Sequence, residues 1–346
     1  MDRTKNTVTA KIAMLPAEII VEIASKARPR AFFALRLVCR TWKSVLEDTF
    51  LRTFIGKRSH YFAPNSLRRL LSIAEIPRFA KAIRHVRLTW TDEEDWDSRV
   101  TTRDILRGAL SRVAEAGGRL ALSFTDRATP SQKGYFMATE SAAVDGRCYW
   151  LLANSVLMAI DFPGTPVHSL NLGLSNLEGL RLADCGLGRH WGSDCEAEDV
   201  SCKSLTRLRC LKFSFEESCS SFFHHERHLK YGDALGDCDL DAILSEAVNL
   251  RELLVARAQG NTLAALVGNG HVLNGIRSRV SHLKLRKLQF LRLAVKDEIL
   301  YFITTFRDSL THLDLVALAT PDPHAWPRLL RTLAEFPVLK HVSLEA

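Results

Sequence analysis

Apolar residues recur every four positions at Leu15, Ile19, Ile23 and Ala27, a row that shares one face of a helix entered at Pro16. Proline suits a first helical turn, because its missing N–H would go unbonded there and its φ is preset. Pro29 stops this helix. Phe32, Phe33, Leu35 and Leu37 crowd a second short segment, and Val38, Trp42, Val45 and Leu46 follow at helical spacing on a third. From Leu15 to Leu46, fourteen of thirty-two residues are large and apolar or Cys. Three short helices of roughly 40 residues have too little interior to hide that much apolar surface. Either the rest of the chain or a second protein must cover the remainder, and periodicity leaves both open. The interspersed Lys and Arg exclude a membrane span.

Helical spacing continues from Glu47 to Arg58, up to a turn at Ala63-Pro64-Asn65. It resumes over residues 66–82, with a break at Pro77 and Leu67, Leu70, Leu71 and Ile73 as the apolar side. The period then changes. Ile83 to Trp90 largely alternates apolar and polar, which predicts a strand with one face inward. Leu177-x-x-Leu180-x-Leu182-x-x-Cys185-x-Leu187 is a full match to the leucine-rich-repeat core. Partial copies begin at Leu208, Leu250, Leu288, Leu310 and Leu339, with central positions at Leu211, Leu253, Leu291, Leu313 and Val342. From Leu180 onward the intervals are 31, 42, 38, 22 and 29 residues, only some within a usual period. Helical segments precede several copies: Asp239 to Val248, Asp297 to Phe306 and Pro327 to Phe336. In the second of these, Ile299, Leu300, Ile303 and Phe306 make the buried face. Each such unit leaves an apolar side that only its neighbours can cover. Residues 91–165 fit this scheme worst, with a helix over Thr102 to Ala116, a Gly117-Gly118 break and one short strand at Leu120 to Phe124.

The N-terminal residues also resemble a known module. Leu15-Pro16-x-Glu18-Ile19, then Ile23, then Leu35-Arg36-x-Val38-Cys39-Arg40-x-Trp42 is similar in type and order to the F-box, a three-helix adaptor module. That resemblance implies binding to the Skp adaptor of cullin–RING ubiquitin ligases, with the downstream region selecting the substrate. Leu15, Pro16, Ile19, Ile23, Leu35, Val38, Cys39 and Trp42 would carry or support the adaptor contact. Where the family usually has a Leu and an acidic or Pro-containing loop, this chain has Ala27-Arg28-Pro29-Arg30, a departure that bears on adaptor affinity. The expected fold class is therefore α+β to α/β. It comprises a leader at 1–13, a three-helix F-box at 14–50, a helical linker at 51–82, and an irregular, curved leucine-rich-repeat-like α/β solenoid at 83–346. The competing expectation for the last part is an ordinary α/β domain in which L-x-x-L-x-L is a common strand pattern.

Composition narrows the function. With 47% hydrophobic and 25% charged residues, the 346-residue chain is of ordinary globular type. Its net charge of +8 is unevenly placed, for residues 26–84 hold fourteen Lys and Arg against Glu47, Asp48 and Glu75. This stripe could attract phosphates, and the alternative function is a non-catalytic scaffold or nucleic-acid-associated protein that uses it. It could equally face an acidic adaptor or water. The eight cysteines contain no C-x-x-C pair and read as free thiols of a reducing compartment. The N-terminus lacks the apolar run of a signal peptide. Cys148 to Ile160 is too short to span a bilayer, and Ala258 to Ile276 is too polar. The expected location is cytoplasmic, nuclear or both, away from membranes.

No residues are expected to carry catalysis, a cofactor or a metal. His224-His225-Glu226-Arg227-His228 is one residue short of the H-E-x-x-H interval that places two imidazoles a helical turn apart. Cys195, Cys202, Cys210 and Cys219 lack zinc-site spacing, and Gly268-Asn269-Gly270 with Gly275 misses the nucleotide-loop pattern. The acidic run Asp92 to Asp97, with Trp96, reads as a solvated loop.

Overall fold

The computed structural model describes residues 15–89, 99–125, 155–174, 205–215, 244, 247–256, 283–291, 297–316 and 324–345. Four short helices come first: α1 (Ala17–Ser25), α2 (Pro29–Arg36), α3 (Arg40–Val45) and α4 (Glu47–Phe50), the last running into a π-turn at Leu51–Ile55. Pro16 caps α1 from outside, its carbonyl accepting the Ile20 N–H at 3.1 Å. α1 has already ended when Pro29 opens α2 as its first residue. Ile20 and Ala24, one turn apart, are the buried pair of α1, and Phe32, Trp42, Leu46 and Phe50 complete the interior. The Ile19–Ile23 row sits one residue round the helix and faces away.

Among the described residues nine strands follow: β1 (Lys57–Tyr61), β2 (His85–Thr89), β3 (Leu120–Thr125), β4 (Val167–Leu174), β5 (Cys210–Phe215), β6 (Glu252–Ala256), β7 (Lys287–Leu291), β8 (His312–Val316) and β9 (His341–Glu345). They form one sheet in chain order, and all eight pairings are parallel. Parallel neighbours need crossover connections. Among the described residues these contain α5 (Pro64–Ala74), α6 (Pro77–Ala82), α7 (Arg99–Glu115), a helical segment at 155–160, α8 (Asp297–Thr304) and α9 (Ala325–Ala334). Register aligns Leu122, Leu170, Leu211, Leu253, Leu288 and Leu313 in one buried row under the helices. From β2 to β8 the inward positions of this side of the sheet are apolar. Gly117 ends α7 at φ +70°, and the Gly118 N–H reaches the Val113 carbonyl at 2.8 Å, a left-handed helix stop that glycine accepts without strain.

Three sequence expectations are corrected. The linker 51–82 is not helical throughout, because β1 occupies Lys57–Tyr61 and joins the sheet. Its helix-facing positions are Arg58 and His60, opposite Val86 and Leu88, so no apolar alternation announces it. β4 was likewise not expected, since an irregularity in the ladder near Leu120 shifts Val167 out of phase with Leu170 and Leu172. In β7 it is Leu288, not Leu291, that stands opposite Leu253 and Leu313. The repeat there begins at Leu285, and the intervals become 35 and 25 residues. The full motif at Leu177–Leu187, Ile299's side chain and most of the Asp239–Val248 segment lie outside the described residues.

Candidate functional site

The apolar surface that three short helices could not hide remains visible. Half of the twelve exposed large apolar side chains among the described residues fall within residues 19–38: Ile19, Val21, Ile23, Phe33, Leu37 and Val38. α1 presents Ile19, Val21 and Ile23, and the turn between α2 and α3 presents Leu37 and Val38. Leu37 is 85% exposed, an extreme value for a leucine. A concentration of this kind on a small unit points to an interaction surface.

The eight residues singled out from the sequence do not behave alike. Ile19, Ile23, Val38 and Pro16 are exposed, while Leu15, Leu35 and Cys39 are half-buried and pack against the core. Trp42 is only 2% exposed and belongs to the interior, so its place is to hold the three helices together. Val21, Phe33 and Leu37 are exposed but were not singled out. Nothing in a four-residue period separates them from core positions, since two of the three abut a buried neighbour in sequence, Ile20 or Phe32.

The surface rests on a fixed support. Phe33 lies 4.8 Å from Phe54 and 6.0 Å from Phe50, measured between ring centroids, and Phe50 is 6.1 Å from Phe79 of α6. The Arg36 guanidinium stacks 3.6 Å over the Phe50 ring and pairs with Glu47, whose second oxygen lies 3.4 Å from Arg78. Because the Arg36 side chain is largely buried, loss of one partner would strand a charge, a loss of roughly 3 kcal/mol for buried pairs. Gly56 makes the exit from the π-turn. Its carbonyl accepts N–H groups from Arg84 and His85 at 2.8 and 2.9 Å, and a Cβ there would sit 2.9 Å from the Arg52 carbonyl. No free linker therefore separates the helices from the first strand.

Around the apolar residues the charge is mainly positive. Arg28, Arg30, Arg40 and Lys43 are exposed, with Glu18 and Glu22 as the acidic residues of α1. Glu22 holds Lys26 at 2.9 Å. In the departing stretch, Ala27 packs against the core. Of the fourteen basic residues in 26–84, all but Arg36 and Arg58 are exposed. Cys39 and Cys210 are free thiols, and burial, as the largest cause, pushes the Cys210 thiol's pKa up. His224–His228, Cys195, Cys202, Cys219, the glycines at 268–275 and the Asp92–Asp97 run lie outside the described residues. Among the described residues no helix is long and apolar enough to cross a membrane.

Comparison with known families gives one match: residues 12–56 fit the F-box-like family. That span takes in α1 to α4 and the π-turn and closes at Gly56. It therefore contains all six exposed apolar residues of the surface. No curated protein matches the chain.

Proposed function

We propose that this chain is a non-catalytic substrate-recognition subunit of a Skp–cullin–F-box ubiquitin ligase. Its N-terminal helices hold the Skp adaptor and, through it, a cullin, and the sheet domain, read as a degenerate leucine-rich-repeat solenoid, holds a target protein. The observation that carries this reading is the coincidence of the F-box-like span with the exposed Ile19, Ile23, Leu37 and Val38. F-box modules typically engage the adaptor with such residues, and the subunit needs no active site of its own. The repeat reading draws support from the parallel, chain-ordered strands and from their recurring L-x-x-L-x-Φ pattern.

The test is co-purification with a Skp adaptor. Ile19→Asp combined with Ile23→Asp places charge on residues already in contact with water, so the unfolding midpoint should hardly move. Adaptor capture should fall at least about thirtyfold, the loss expected when central interface anchors are removed. Unchanged capture by a folded double variant would overturn the proposal. Steeply salt-dependent retention on RNA without adaptor capture would instead favour the nucleic-acid reading of the basic stripe.

A further inference from the structure

Register brings together residues that the sequence scatters. The inward apolar residue that begins each strand motif is followed by a basic residue in most copies: Ile83-Arg84, Leu208-Arg209, Leu250-Arg251, Leu285-Arg286 and Leu339-Lys340, the first four apolar residues being buried and Leu339 half-buried. These residues enter the strands at one level. The Arg209 carbonyl accepts the Arg251 N–H at 2.8 Å, and the Arg251 carbonyl accepts the Arg286 N–H at 2.8 Å. The Arg286 carbonyl in turn accepts the Thr311 N–H at 2.9 Å, and the Thr311 carbonyl the Lys340 N–H at 2.9 Å. Between Arg84 and Arg209 the row passes Leu120, flanked by exposed Arg119, and then His168. The result is a file of five basic groups along the edge where the strands begin, interrupted at β3, β4 and β8.

Neighbouring positions of the row stand one strand apart, about 4.8 Å, so from Arg84 on β2 to Lys340 on β9 it runs for roughly 34 Å, with its basic groups one to three strands apart. Arg84, Arg209, Arg286 and Lys340 are exposed and Arg251 is half-buried. Among the described residues none of the five forms a salt bridge, and the Arg251 guanidinium reaches only the Lys284 carbonyl, at 3.2 Å. Burial, with Arg119, Arg209 and Arg84 close by, pushes the His168 pKa down, so its ring adds no charge at neutral pH. The chain outside residues 26–84 is acidic in sum, so this file runs against the local charge balance.

Chemistry selects the partner. A phosphate group wants several donors converging on one point, whereas a file spreads them. Single-stranded nucleic acid wants aromatic platforms between the basic groups, and the positions of the file hold none. A stretch of carboxylates along an extended peptide suits a row of guanidinium forks. We propose that the strand-entry edge is a docking site for an Asp- and Glu-rich peptide segment of the target protein. The inference deepens the function proposed above and rests on it for the identity of the bound protein as a target, while the peptide contact itself does not depend on the adaptor.

The experiment is fluorescence anisotropy of a labelled Asp/Glu peptide titrated with the full chain, beside an uncharged Gln/Ser peptide and a single-stranded RNA of equal charge. The acidic peptide should bind and the uncharged one should not. Arg209→Gln with Arg251→Gln and Arg286→Gln should weaken it about tenfold, the sum of three ion pairs of modest strength. The double variant R209Q/R286Q, which removes no guanidinium hydrogen bond among the described residues, should show part of that loss in a chain with an unchanged melting curve. An equal charge reduction at Arg30, Lys43 and Lys81 should leave binding as it was. Absence of peptide binding, an equal loss in that control, or tighter binding of the RNA would each overturn the proposal, with adaptor capture measured separately on the same preparation.

Discussion

His60 and Arg58 occupy, on β1, the level that Leu88 and Val86 fill on β2. His60 is 7% exposed, and its Nδ1 lies 2.9 Å from the Ser66 carbonyl, so that nitrogen carries the proton and donates. Burial, then Arg58 and Arg69, push its pKa down, with the Ser66 contact pulling the other way. A histidine held neutral in the fold but free to protonate when unfolded, near its ordinary value of about 6.5, contributes stability that is complete above that pH. This contribution is lost as pH falls toward the folded-state value, because the unfolded chain then binds more protons. The melting temperature should therefore drop between about pH 7.5 and 5.5, and His60→Gln should flatten that slope. His85 and His168, whose pKa values are also pushed down by burial and nearby basic residues, should leave a residual slope. A variant with the wild-type slope would show that His60 plays no part. The same two residues explain why β1 could not be read from the sequence: alternation is visible only where the inward positions are apolar.

At the level of elements, legibility followed the pattern's contrast. β2, β3, α7, α8 and α9 alternate or repeat cleanly, and the sequence placed each within a few residues. The helical unit was legible because its chemistry is specific at both ends, Leu15-Pro16 and Val38-Cys39-Arg40-x-Trp42. Which of its apolar residues face outward was not, since Ile19 and Ile20 are identical neighbours separated by about 100° of helix rotation. β7 shows a different ambiguity. Leu285, Leu288 and Leu291 are spaced evenly, so L-x-x-L fits at two registers, and only pairing with β6 and β8 decides. The observed register sets Lys287 beside His312. Lys287→Cys with His312→Cys should close a disulfide on mild oxidation, adjacent Cα atoms lying within the roughly 4.4–6.8 Å that the bond requires. Lys287→Cys with Asp314→Cys, two residues out of step, should not. Non-reducing electrophoresis separates the two results, and the reverse outcome would overturn the observed pairing of β7 with β8.

At the scale of the molecule, among the described residues each strand pairs only with the strands before and after it in the chain. Stability in such a stack is a sum of unit and neighbour contributions, more local than in a domain closed by distant segments. Leu211→Asp would bury a charge at the centre of the sheet, between Leu170 and Leu253, at a cost well above that of an ordinary point change. Hydrogen exchange should then quicken first in β4, β5 and β6, with protection kept in β1, β2, β8 and β9. Uniform loss in all nine strands would show one cooperative unit instead. At the other end of the molecule, the Phe50–Phe79 contact and Gly56 tie the helical surface directly to β1. Anything held by the sheet is thereby kept at a set distance from whatever covers Ile19 and Ile23.

Chain-ordered pairing also constrains how such a protein can lengthen or shorten over evolutionary time. Removal of one complete strand-and-crossover segment, such as β6 with the connection to β7, would let β5 meet β7 in the same alignment, with Arg209 beside Arg286. Loss of a strand without its connection would break the ladder of parallel pairings, so viable descendants should differ by whole modules.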